Sequence, residues 1–264
     1  MNIFLRELRA NLKSLLTWSV IIFLFTSIAI AKFSAYESNP EMLEILDLMP
    51  PALLAAFSMQ AFNLTTITGF FGVMFTFFAL ILSIAAAMWG SNFISKEERD
   101  KTVEFSLTLP VTRGKLIIAK TLAAVTNCIG LLLVTGGITL AMVAKYQPDS
   151  EFYDFLSLCL LAIFIVQMIF LAIGIFLGCA MKQHKRSSST AVSILLGTYF
   201  LSTLVGLNEN LDFLKYFSPF KYFDAGMMLR ESKFEAPFVW LSLGIIAVSL
   251  IGGYITYSKR DLYI

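Results

Sequence analysis

Six long stretches of this chain are apolar and almost free of charge: Leu15–Ala31, Leu64–Phe93, Leu116–Ala144, Phe155–Met181, Ser189–Leu207 and Pro237–Tyr257. A hydrocarbon core about 30 Å thick is crossed by roughly 20 residues of helix, which satisfies its own backbone polar groups. Each stretch is therefore predicted to span a membrane, and together they take 143 of the 264 residues. Hydrophobic residues make up 58% of the chain and charged residues 14%, more apolar than one water-facing core of this size can bury. A soluble enzyme, a disordered region and a disulfide scaffold are all poor descriptions of such a chain. The second, third and fourth stretches exceed what a bilayer needs, so they should tilt or project into water.

Charge orients the spans. The connections 1–14, 94–115, 182–188 and 258–264 hold 13 basic and six acidic residues; 32–63, 145–154 and 208–236 hold six basic and twelve acidic. Basic residues favour the cytoplasmic side, so both termini are expected there, in a multi-pass membrane protein. Lys120 alone lies inside a span, near enough to the interface to snorkel. The N-terminus resembles a signal peptide, but its apolar run is long and follows an amphipathic stretch, so a retained first span is expected.

Much chemistry is missing. Cys128, Cys159 and Cys179 fall in apolar runs without metal or redox spacing and read as small buried hydrophobes. The one histidine, His184, sits among Lys182, Lys185 and Arg186, so no metal site is expected. There is no Walker A motif and no G-x-S-x-G elbow. Glu97-Glu98 is similar to the start of a prenyl-protease signature, but Thr102 stands where that signature needs arginine. No Asp or Glu lies in a span, which weakens an ion-driven pump. Asn127 and Gln167 are read as interhelical hydrogen-bonding residues, with substrate contact the alternative, and Gly174 with Gly178 as a close-packing motif.

The remaining segments carry the function. Residues 1–14 place Ile3, Leu5, Leu8 and Leu12 among Arg6, Arg9 and Lys13, the spacing of a helix lying in the membrane interface. A plain extension of the first span is the other reading. Segment 95–113 passes from charge (Glu97, Glu98, Arg99) through Thr102, Val103, Glu104, Leu107 and Leu109 to Pro110 and Arg113. Its pattern fits strand or helix; a lone strand has nothing to pair with, so a short helix ended by Pro110 is predicted. Its apolar side chains need a partner, for which a cytoplasmic protein is a candidate. Segment 208–236 gathers Phe213, Tyr216, Phe217, Phe220, Tyr222 and Phe223 around Pro219. Such ring density belongs at headgroup level, in a Pro-broken pair of short helices.

Glu97-Glu98-Arg99-Asp100-Lys101-Thr102-Val103-Glu104, then Leu109-Pro110-Val111-Thr112-Arg113 and Lys120, resembles the cytoplasmic signature of ABC-2-type exporter permeases. Lys101 and Val103 depart from the family's Gly and Leu. Tyr216-Phe217-Ser218-Pro219-Phe220 and the ending Tyr257-Ser258-Lys259-Arg260-Asp261-Leu262 are similar to its small bacterial members. The resemblance implies an all-α membrane domain of six spans over 1–264, with an interfacial N-terminal helix, a coupling helix at 95–113 and an outer gate at 208–236. It implies two permeases, expected to be identical copies, working with two ABC ATPase subunits. ATP and Mg belong to those partners; the permease binds no cofactor of its own, is not an enzyme, and has no nucleic-acid partner. The family's pathway runs around the first, second and fifth spans, which makes Thr68, Thr76, Thr198, Tyr199 and Ser202 candidate pathway residues. The expected function is export of an amphipathic or hydrophobic substrate, such as an antimicrobial peptide, drug or lipid-like molecule. A non-transporting sensor or assembly subunit is the alternative.

Overall fold

The structure, a computed structural model, describes residues 3–37, 39, 48–50, 54, 59, 62–99, 113–181, 184–207 and 209–259. Among these no strand occurs, and six helices are long and apolar enough to cross a membrane. They are α1 (Ile3–Tyr36), α2 (Ile67–Arg99), α3 (Arg113–Val143), α4 (Ser150–Ala180), α5 (His184–Leu207) and α7 (Ala236–Lys259). A short helix α6 (Ala225–Glu231) precedes the last of them.

The helices outrun the apolar stretches at most ends, because charge does not stop a helix while a breaker or cap does. No Gly or Pro lies between Ile3 and Tyr36, and α1 runs unbroken over 34 residues, about 51 Å. The separate interfacial helix expected for 1–14 is thus corrected: residues from Ile3 on are the first turns of α1. Arg9 and Lys13 are exposed on it, and Arg6 Nη2 lies 3.4 Å from Glu7 Oε1. Similarly, α4 starts five residues before Phe155, where Asp149 caps it by accepting from Phe152 N–H at 3.0 Å. Helix α2 continues through Ser95 to Arg99, so the front of the charged segment extends the second span.

Helices α2 and α4 form the buried centre; α1 lies against α3, α5 against α2, and α7 against α4. The central pair is locked by glycines. A Cβ added at Gly90 would come within 2.4 Å of the Leu171 carbonyl oxygen, one at Gly174 within 2.6 Å of Ala87 O, and one at Gly178 within 2.8 Å of Ser91 O. Backbone therefore touches backbone at three levels, as small residues allow in membrane helices. Gly174 and Gly178 pack closely as expected, and Gly90 is their counterpart on α2. Gln167 bridges the same pair, with Nε2 donating to Leu82 O at 3.5 Å. Cys128, Cys159 and Cys179 are buried free thiols.

The two ends of the bundle differ. At the end bearing the termini, Trp89 Nε1 donates to Ser14 Oγ at 2.9 Å and Ser187 Oγ to Ser91 O at 3.4 Å. Here also Lys120 departs from expectation. It does not snorkel: it is 2% exposed, with Nζ 3.9 Å from Glu7 Oε1 on α1. A cation this deep is stabilised by a counter-charge brought from another helix. The far end is aromatic. Phe33 meets Phe70 and Tyr146 at centroid distances of 5.2 and 4.9 Å, and Phe71 meets Phe152 edge-on at 5.7 Å.

Candidate functional site

Between α5 and α7 the chain turns back toward the far end of the bundle. In place of the expected pair of short helices there are three: a 3-10 helix Glu209–Phe217, a second at Pro219–Lys221, and α6. Pro219 starts the second, where its missing N–H costs nothing. Asp224 caps α6, its Oδ1 accepting from Met227 N–H at 2.9 Å. The segment is tied down by Ser218, fully buried, whose hydroxyl donates to Thr198 O on α5 at 2.8 Å. Tyr222 adds a second tie, donating to Tyr216 O at 2.6 Å while stacking on Phe238 at 5.3 Å. Burial pushes the Tyr222 phenol up to about 12, so it remains a donor throughout the physiological range.

The segment's rings divide into two groups. Phe213, Tyr216 and Phe217 are more than half exposed, at 59%, 53% and 65%. Pro219 and Phe220 are buried. Phe220 stacks on Phe170 of α4 at 5.3 Å and meets Tyr199 of α5 edge-on at 5.6 Å. The chain thus wedges one ring between two spans.

Beside that ring lies a cleft between α2, α5 and the turned-back segment, with a cavity of about 30 Å³, space for a water or two. It gathers three of the candidate pathway residues, Thr76, Tyr199 and Ser202, with Phe220. Thr68 and Thr198 do not line it. Thr68 lies in the first turn of α2, and the Thr198 hydroxyl donates to Leu195 O of its own helix while its backbone carbonyl accepts from Ser218. Sequence reasoning missed Lys221 and Asp224, which give the cleft a charge of each sign, and Phe75 and Phe77, which with Phe223 of the aromatic run give it apolar wall. The signal for the charged pair was its place three residues apart, Lys221 inside the aromatic run and Asp224 directly after it. Asn127 and Gln167 stay away from the cleft, inside the bundle.

Of the coupling candidates, Glu97, Glu98 and Arg99 form the last turn of α2 and Arg113 the start of α3. Thr102, Val103, Glu104, Leu107, Leu109 and Pro110 lie outside the described residues. Among the described residues no group of His, Cys, Asp or Glu is placed to hold a metal.

Six helices long and apolar enough to cross a membrane, with an aromatic ring wedged between two of them beside a small cleft, define a multi-pass membrane protein. The chain belongs to the ABC-2 family transporter proteins, whose family model matches residues 1–262. Members are membrane transport subunits that are not themselves catalytic, and membership implies a separate ATPase partner. No curated protein matches the chain.

One prediction concerns the tie that holds the wedge. Ser218→Ala leaves the Ser218–Thr198 contact without its donor in a buried place, which costs about 1–2 kcal/mol. The expected result is faster hydrogen exchange over 209–223 with α2 and α4 unchanged, read by exchange mass spectrometry.

Proposed function

We propose that the chain is the permease of an ATP-driven exporter that moves an amphipathic or hydrophobic substrate out of the cytoplasm, past the α2–α5 cleft. The observation that carries this reading is the cleft: hydroxyls, aromatic rings and one charge of each sign meet between two spans beneath a ring wedge. An amphipathic molecule needs all three kinds of surface, and the carboxylate-free spans suit it better than an ion. The charge asymmetry of the connections supports placing the wedge outside and the termini inside. ATP binding would move two partner ATPases against segment 95–113. Helix α2 runs unbroken from Thr76 to Arg99, about 34 Å, so a tilt imposed at its charged end reaches the cleft without loss at a hinge. Helices α1 and α5 are among the least covered spans, which supports a second identical copy docking there.

The test is to co-purify the chain with its partner ATPase and reconstitute both in vesicles. Glu98→Ala combined with Leu107→Asp is expected to lower substrate-stimulated ATP turnover at least about tenfold, roughly 1.4 kcal/mol of coupling. If ATPase binding and turnover both stay unchanged, segment 95–113 has no coupling role. Ser202→Trp, which fills the cleft, should stop vesicle transport while the ATPase still binds. ATP turnover that responds to a ligand without any transport would favour the sensor reading instead.

A further inference from the structure

A second concavity lies at the other end of the bundle, on its lipid-facing side. Ile118 and Leu122 of α3 form one wall, Leu250 and Ile251 of α7 the other, and Ile175 of α4 the floor. Its volume is about 310 Å³, and its only polar side chains are Thr121 and Tyr254. The fold itself creates this gap. Gly252 and Gly253 let α7 lie tight on α4, where added Cβ atoms would come within 3.2 Å of the Phe176 ring and 3.4 Å of its Cα. Helix α3 follows α1 instead, and meets α7 only sparsely. Near its start the two do touch: a Cβ at Gly114 would come within 2.9 Å of the Tyr254 hydroxyl. Below that touch the helices part, over about 8 Å from Ile117 to Leu122.

We propose that this groove seats an anionic phospholipid, the first part of one acyl chain filling the gap and the headgroup lying at the level of Tyr254, Lys115 and Lys259. Dry apolar walls exclude water and a peptide backbone, neither of which finds hydrogen-bond partners there. Ile118 and Leu122, at 57% and 54% exposure, turn their side chains toward the bilayer, so an acyl chain enters from the side. Lys115 and Lys259 are exposed at the groove's head, on the end whose connections hold 13 basic residues against six acidic. Cations at that depth attract anionic headgroups, at about 1 kcal/mol each. The lipid stands in for packing that α3 and α7 do not make with each other. This site is separate from the α2–α5 cleft and its occupation does not depend on transport.

Native mass spectrometry of the full chain, equilibrated with vesicle lipid, tests it. Phosphatidylglycerol should be retained about tenfold over phosphatidylcholine. Lys115→Ala with Lys259→Ala should remove that preference, and Ile118→Trp with Leu122→Trp should remove the adduct about tenfold. Equal retention of both lipids, or an adduct indifferent to the tryptophans, overturns the proposal. If the filled variant does not fold, a phosphatidylglycerol with a photoactivatable acyl chain decides on the unsubstituted chain. Labels must fall within 117–122 and 250–254, and labels elsewhere overturn it. An amphipathic peptide that displaces no lipid while labelling these residues would assign the groove to cargo and overturn it as well.

Discussion

Gly174→Leu destabilises the chain by about 3 kcal/mol or more, as seen in denaturant unfolding from detergent micelles. At Gly174 an added Cβ already lies 2.6 Å from a carbonyl oxygen of α2, and carbonyls cannot rotate aside as a side-chain tip can. Overfilling a core of side chains costs typically 1–3 kcal/mol. Here the two most buried spans must separate, and the Gln167 bridge and the other two glycine contacts separate with them. The comparison that isolates the cause is Gly244→Leu on α7, where a Cβ meets nothing within 4 Å. That change should stay within about 0.5 kcal/mol of the parent. Equal losses at both sites would show that leucine disturbs any span, and that the α2–α4 interlock is not special.

The second large effect is expected at the buried cation. Glu7→Leu removes the carboxylate 3.9 Å from Lys120 and leaves the ammonium inside the bundle, at a cost of about 3 kcal/mol. Lys120→Met should cost less. Glu7 keeps 15% of its side chain exposed and still has Arg6 beside it, so it loses less on being left behind. The double variant should be more stable than Glu7→Leu alone, because a paired charge has been exchanged for apolar contact. A double-mutant cycle by unfolding gives the coupling energy directly. Additive effects would mean that the two residues do not stabilise each other.

The spans were legible because apolar run length is a direct consequence of bilayer thickness, and no tertiary detail alters it. Where each helix ends was less legible. The apolar run marks the membrane, whereas the helix ends at a cap or breaker: at Asp149 for α4, and nowhere before Tyr36 in α1. The wedge was half legible. Ring density and Pro219 pointed to segment 208–236, yet only the three-dimensional turn decides that Phe220 goes in while Phe213 and Phe217 stay out. Thr76, Tyr199 and Ser202 share a cleft whereas Thr68 and Thr198 do not, since helix rotation sorts hydroxyls that composition cannot tell apart. Lys120 was misjudged because its depth depends on Glu7 in another helix, and snorkelling is a property of isolated spans. Gly90 carries no motif of its own; only the helix facing it explains it.

The Phe220 wedge has a consequence for assembly. Both surfaces that grip the ring, Phe170 and Tyr199, belong to the same chain as the ring itself. The placing of that ring is therefore an internal property: the fold of one chain sets it, and no residue from another molecule is needed to hold it.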